Sequence, residues 1–319
     1  MMRSATAAAT LCLLADLAQA GELAPRSFAS TALGEQIPAI IYTPDGQPPE
    51  EGWPVLYLLH GHDGSERSWA DLGDIQATLD QLTSTGSIEP ALVVMPGGGN
   101  SWYVDSADVA GPGDFATAIA HDLRLAVEAA YPVRSDRGGR AIAGLSMGGY
   151  GALRLALEHP EQYVAAASLS GAIWQNIPPE DFNATVEGID IIQKTAYFHR
   201  IDPETVTAGR VLPSVASHFG GAFGVPFDPR RFNRMNVFTL LERQLETKAG
   251  LPAIYLTCGD DDRFDLWRGA LALFETGRAD GLEDMQLRIT DGDHAWSVWS
   301  TSIVDALKFI DAHWQPMTE

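Results

Sequence analysis

Apolar positions along this 319-residue chain fall into short runs separated by helically spaced segments. Residues 37–43 (IPAIIYT) alternate and stop at the turn signal Pro44-Asp45-Gly46. PVLYLLHG (54–61) and PALVVMPGGG (90–99) are continuous apolar runs, the pattern of strands covered on both faces. Residues 115–130 (FATAIAHDLRLAVEAA) place apolar groups at helical spacing and end near Pro132. RAIAGLS (140–146) predicts a strand, and MGGYGALRLALEH (147–159) predicts a helix stopped by Pro160. VAAASLSG (164–171), PAIYLTCG (252–259) and MQLRITDG (285–292) predict further strands, and a closing helix is expected from about Ser297 to Trp314.

Strands that alternate with helices specify an α/β fold, with a mostly parallel central sheet and helices on both faces. Ligands in such sheets bind beyond the carboxyl ends of the strands. His60, Gly97, Ser146, Gly171, Asp260 to Asp262 and Asp291 to His294 all follow strand ends, so one edge is expected to gather them. Residues 172–250 break the rhythm with Pro178-Pro179, several phenylalanines and short helical patterns. They are read as a helical insertion over the active-site edge, within one domain spanning residues 21–319.

The first twenty residues modify this picture. A basic start (Met1-Met2-Arg3), an apolar stretch from Ala5 to Leu17 and a small-x-small site at Ala18-Gln19-Ala20 have the form of a signal peptide cleaved after Ala20. A secreted or periplasmic location is therefore expected. The stretch is too short to span a bilayer, so no stable membrane insertion is expected. Cleavage would leave Cys258 as the only cysteine, which excludes an intrachain disulfide. The net charge of -21 repels phosphate backbones and argues against nucleic-acid partners.

The chemistry centres on Gly144-Leu145-Ser146-Met147-Gly148, a G-x-S-x-G sequence between a predicted strand and a predicted helix. That turn holds a serine in a strained conformation with its hydroxyl outward, and the flanking glycines leave room for it. A serine hydroxyl needs a base, and the base needs an orienting acid. In α/β-hydrolases the acid and then the histidine follow the serine along the chain. His294 follows a strand directly and precedes a helix, unlike His159, His199, His218 and His313. Asp260, Asp261, Asp262 and Asp265 follow the preceding strand, and spacing does not choose among them. This acidic group lacks the spacing of a calcium loop, and His60-Gly61-His62 lacks a third ligand. No metal and no cofactor are expected.

PVLYLLHGHDGSERSW (54–69), VVMPGGGNSWYVDS (93–106), AIAGLSMGGYGAL (141–153) and CGDDDRF…DGDHAWSVW, in that order, resemble the esterase D family of α/β-hydrolases. That family includes S-formylglutathione hydrolases, secreted feruloyl and acetylxylan esterases and the antigen 85 mycolyltransferases. The resemblance covers most of residues 30–314 and is weakest across the insertion. It implies an α/β-hydrolase fold. It also implies the acid at the fourth position of G-x-x-D, here Asp262, and an oxyanion hole of two backbone N–H groups, here those of His62 and Met147. Gly97 stands where many relatives carry an aspartate. The implied activity is that of a serine carboxylesterase working through an acyl-enzyme on a small-molecule or carbohydrate-linked ester, of feruloyl or acetylxylan type. The same residues would also suit an acyltransferase, a thioesterase like S-formylglutathione hydrolase, or a silent binding protein on this scaffold. Trp102, Tyr103 and Trp174 are expected to wall the pocket. Trp296 and Trp299 are read equally as helix packing and as substrate contacts.

Overall fold

The computed structural model describes residues 20–183, 214–247 and 250–315. Eight strands form one sheet in the order β1-β2-β4-β3-β5-β6-β7-β8. They are β1 (Glu22–Ser30), β2 (Glu35–Thr43), β3 (Val55–Leu59), β4 (Leu92–Pro96), β5 (Arg140–Leu145), β6 (Ala165–Leu169), β7 (Ala253–Gly259) and β8 (Met285–Thr290). β2 pairs antiparallel with both β1 and β4, and every other pairing is parallel. The sheet is therefore mostly parallel, as the pattern predicts.

The continuous apolar runs are explained by two separate cores. In β3, Val55, Tyr57 and Leu59 face one core while Leu56 and Leu58 face the other. The first core takes in the helices Met147–Glu158, Val237–Thr247 and Leu266–Ala279. The second takes in Ile75–Ser84 and Trp296–Asp311. Each central strand thus loses water on both sides, at about 25 cal/mol per Å² of apolar area.

Three features differ from the sequence expectations. β1 is an added edge strand. Only Ala24, Phe28 and Ser30 of it are buried, too sparse a pattern to announce a strand, and Pro25 is tolerated because an edge leaves N–H positions unpaired. The helix expected over 115–130 is wound as a π-helix across Ala118–Leu123. In the insertion, residues 184–213 and 248–249 lie outside the described residues. Its last part, Val237–Thr247, joins the helical layer on the sheet face instead of covering the edge. Val237, Leu240 and Leu241 are buried there, and the Gln244 side chain donates to the Leu157 carbonyl at 2.9 Å. The expected leader falls on residues 1–19, which also lie outside the described set. Among the described residues no helix is long and apolar enough to cross a membrane.

The loops after β7 and β8 are joined directly. The Asp260 N–H donates to Thr290 O at 2.8 Å, and the Asp261 N–H donates to Gly292 O at 3.1 Å. A Cβ on Gly259 would lie 2.0 Å from the Gly292 oxygen, so only glycine permits this approach. Gly259→Ala is expected to push the two loops apart and cost about 3 kcal/mol. Thermal unfolding should show this as a midpoint lower by several degrees, with a parallel loss of any activity that needs both loops.

Candidate active site

Ser146 sits between β5 and the helix Met147–Glu158 with φ 53° and ψ −118°, a conformation that a serine rarely adopts. The surroundings hold it there. Its N–H donates to Leu169 O at 2.9 Å, and its carbonyl accepts from the N–H groups of Ala172 (3.0 Å) and Tyr150 (3.1 Å). The flanking glycines are sterically required. A Cβ on Gly144 would meet the Gly148 oxygen at 2.3 Å, and one on Gly148 would meet the His60 oxygen at 2.5 Å.

The ends of β5, β7 and β8 bring three side chains into line. Ser146 Oγ is 2.9 Å from His294 Nε2, and His294 Nδ1 is 2.7 Å from Asp262 Oδ2. A carboxylate can only accept, so Nδ1–H donates to Asp262 and Nε2 is left to accept from the serine hydroxyl. Asp262 is fully buried and His294 is 6% exposed. The buried carboxylate is offset by further donors. Asp262 Oδ1 accepts from the Phe264 N–H at 2.9 Å, and Oδ2 also faces the Cys258 thiol at 3.5 Å. Of the four carboxylates left open by spacing, Asp260 and Asp261 are exposed and Asp265 heads the next helix. Asp262 is the one in contact with His294. Phe264 and Trp299 pack edge-on against the imidazole, with centroids 5.0 and 4.9 Å away.

Met147 is the first residue of its helix, so its N–H has no intrahelical acceptor. His62 borders a cleft of about 390 Å³ that also contains Ser146 and His294. His60, one of the histidines weighed for a metal pair, is instead a buried strut. Its Nδ1 donates to Gly61 O at 2.7 Å and its Nε2 accepts from the Gly98 N–H at 2.9 Å. Burial lowers its pKa and keeps the ring neutral, as this pairing requires. At Gly97 a Cβ would lie 2.9 Å from Pro38 and 3.1 Å from the Glu66 carboxylate, which leaves little room for a side chain. The exposed carboxylates of Asp260, Asp261 and Asp291 lie within 4.8 Å of one another.

The aromatic walls are redistributed. Trp102 and Tyr103 are 1% and 0% exposed and turn inward. Tyr103 donates to His60 O at 3.0 Å, and Trp102 Nε1 donates to His218 O at 2.8 Å. Trp174 is 2% exposed and packs against Trp102 and His218. None of the three is among the residues that wall the cleft. Trp296, Trp299, Leu72 and Arg263 do wall it. Trp296 and Trp299 lie in the first turn of the helix that follows His294, and the sequence left them open between helix packing and substrate contact.

The family model described as "Putative esterase" matches residues 30–310. An acetyl esterase of Caldicellulosiruptor saccharolyticus is 25% identical over 260 residues, covering 82% of this chain and 84% of that protein. An endo-1,4-beta-xylanase/feruloyl esterase of Xylanibacter ruminicola is 31% identical over 160 residues, 48% of this chain but only 22% of that longer protein. Among solved structures, a ferulic acid esterase superposes with a TM-score of 0.68 at 22% identity, covering 93% of this chain and 99% of that one. This last likeness concerns the fold.

Burial and the neighbouring Asp262 carboxylate push the Cys258 thiol well above its ordinary pKa, so it stays a neutral thiol. With Cys12 replaced by serine, a disulfide reagent such as Ellman's should leave native Cys258 unlabelled and label it fully in denaturant. Rapid labelling of the native protein would contradict the buried placement.

Proposed function

Starting from a chain that belongs to the Putative esterase family, we propose that it is a serine carboxylesterase that works through an acyl-enzyme. The observation that carries this reading is the hydrogen-bonded line from Ser146 through His294 to Asp262. As Ser146 Oγ attacks the ester carbonyl, His294 Nε2 takes its proton, and Asp262 orients the ring and stabilises the imidazolium. The N–H groups of His62 and Met147 bind the oxyanion, each contributing about 3 kcal/mol of transition-state stabilisation. Collapse releases the alcohol, protonated by His294. A water molecule, activated by the same base, then frees the acid.

The acetyl esterase, matched over most of both chains, and the feruloyl esterase match together favour short acyl or aromatic acyl esters of carbohydrates as the substrate class. An acyltransferase would differ only in passing the acyl group to an alcohol in place of water. Product analysis with and without glycerol distinguishes the two.

With p-nitrophenyl acetate, Ser146→Ala is expected to lower kcat by about 10⁴ to 10⁶ and Asp262→Asn by roughly 10⁴. A Ser146→Ala protein that hydrolyses the ester at near the wild-type rate would refute the mechanism.

A leader cleaved after Ala20 belongs to the same reading, on the basic start, apolar stretch and small-x-small site of residues 1–20. Ala20 is exposed, whereas Gly21 is buried, with its N–H donating to Asp80 at 2.8 Å. Cleavage there would place the new ammonium against that carboxylate. Intact-mass measurement on protein recovered from the periplasm or medium should give a chain that begins at Gly21. A full-length chain retained in the cytoplasm would overturn the localisation.

A further inference from the structure

Next to the oxyanion loop lies a group of polar ring atoms that the mechanism does not use. The rings of His62 and His218 are stacked, with centroids 5.2 Å apart and planes within 18°. Trp174 packs edge-on against His218 at 5.9 Å. His62 Nε2, His218 Nε2 and Trp174 Nε1 are all buried, and none has a hydrogen-bond partner. A buried polar atom left unpaired is destabilising, so three in one ring cluster beside Ser146 call for an external partner.

The chemistry of that partner follows from the hydrogen-bonding roles. His62 Nδ1 lies 3.2 Å from Asp63 Oδ2. Asp63 is fixed by Asn100, which accepts from its N–H and donates to its carboxylate, both at 2.8 Å. The Asn100 hydrogen bond holds the Asp63 carboxyl below its usual range, so it is an acceptor. His62 Nδ1 is therefore the donor to Asp63, and Nε2 has no partner among the described residues. His218 is pushed down to about 3, first by burial and then by the neighbouring His62 and His294, and is neutral. The indole Nε1–H of Trp174 can only donate. The cluster thus presents an indole donor and a neutral imidazole nitrogen beside the His62 ring. A hydroxyl, which donates and accepts at once, meets these demands. An ammonium, which cannot accept, leaves the indole N–H unpaired.

We propose that His62, His218 and Trp174 form a polar subsite beside Ser146 that binds a free hydroxyl of the ester substrate. The proposal rests on the esterase reading above and narrows its substrates to hydroxylated esters. His62 borders the cleft that holds Ser146. On the other side His218 reaches Phe264 (6.3 Å), which packs on His294. The subsite therefore lies between the oxyanion loop and the Phe264 ring that packs on His294.

The test compares matched esters with and without the hydroxyl. One arm places it on the alcohol half, with a monoacetylated methyl xyloside against its deoxy analogue. The other places it on the acyl half, with methyl ferulate against its phenol methyl ether. The wild type is expected to favour the hydroxylated member of at least one pair by about tenfold or more in kcat/KM. His218→Phe should reduce that ratio towards one, chiefly through KM. His62→Leu should do the same, and His62→Gln, whose amide restores a polar side chain that can donate or accept, should recover part of it. Labelling by a fluorophosphonate checks that each variant keeps a folded, reactive site. The arm that responds identifies the half of the substrate that carries the hydroxyl. Ratios unchanged in both arms, in variants that still label, would overturn the subsite alone. A wild type that hydrolyses none of the esters would overturn the esterase reading and the subsite with it.

Discussion

The hydrogen bond between His294 and the fully buried Asp262 sets the terms for the rest of the molecule. A carboxylate removed from water is costly unless donors surround it. Here an imidazole N–H, a backbone N–H and a thiol converge on it. These donors come from β7, from the loop after it and from the loop after β8, so the bond exists only if those two strand ends lie side by side. The parallel pairing of β7 with β8 supplies that neighbourhood, and the close contact at Gly259 completes it. On the far side of β6, β5 delivers Ser146 to the same edge. The sheet order serves as the alignment device for three groups distant in sequence.

Much of this organisation is legible in the residues. β3 to β7 announce themselves because burial on both faces leaves nearly continuous apolar runs, with few polar residues such as Arg140, Ser168 and Thr257 in them. Ser146 is recognisable because its glycines have one steric reason to be there. The acid is harder. Asp260, Asp261 and Asp262 are adjacent and chemically identical, and only burial separates them. Spacing left the choice open, and the family resemblance pointed to Asp262, the one that touches His294. β1 is hidden because an edge strand with one buried face and a proline has almost no pattern. Trp102 and Tyr103 show the opposite failure. They follow a strand end, where binding residues belong, yet both take positive φ (57° and 52°) and turn their rings into the core. Left-handed backbone at two consecutive aromatic residues cannot be read from residue type, since that conformation is ordinarily signalled by glycine or asparagine.

Backbone strain is concentrated around the candidate site. Asp63, Trp102, Tyr103, Ser146, Ser170 and Asp265 all have positive φ, and all lie in segments that follow strand ends. Each such residue costs on the order of 1–3 kcal/mol and persists because its surroundings fix it. The two cores on either side of the sheet supply the excess stability that this arrangement consumes.

The His60 strut has a consequence for where such a protein can work. Its Nε2 must remain unprotonated to accept from the Gly98 N–H, and burial lowers its folded pKa. The unfolded chain therefore binds a proton that the native fold refuses. Stability from this residue is present above the ordinary imidazole range and is lost as pH falls through it. His218, held low by burial, has the same sign. Acidification thus weakens the loops around Ser146. In a fermenting or otherwise acidifying medium, proton uptake by these two rings would draw the chain towards its unfolded state, and neutral surroundings are the setting that favours the scaffold.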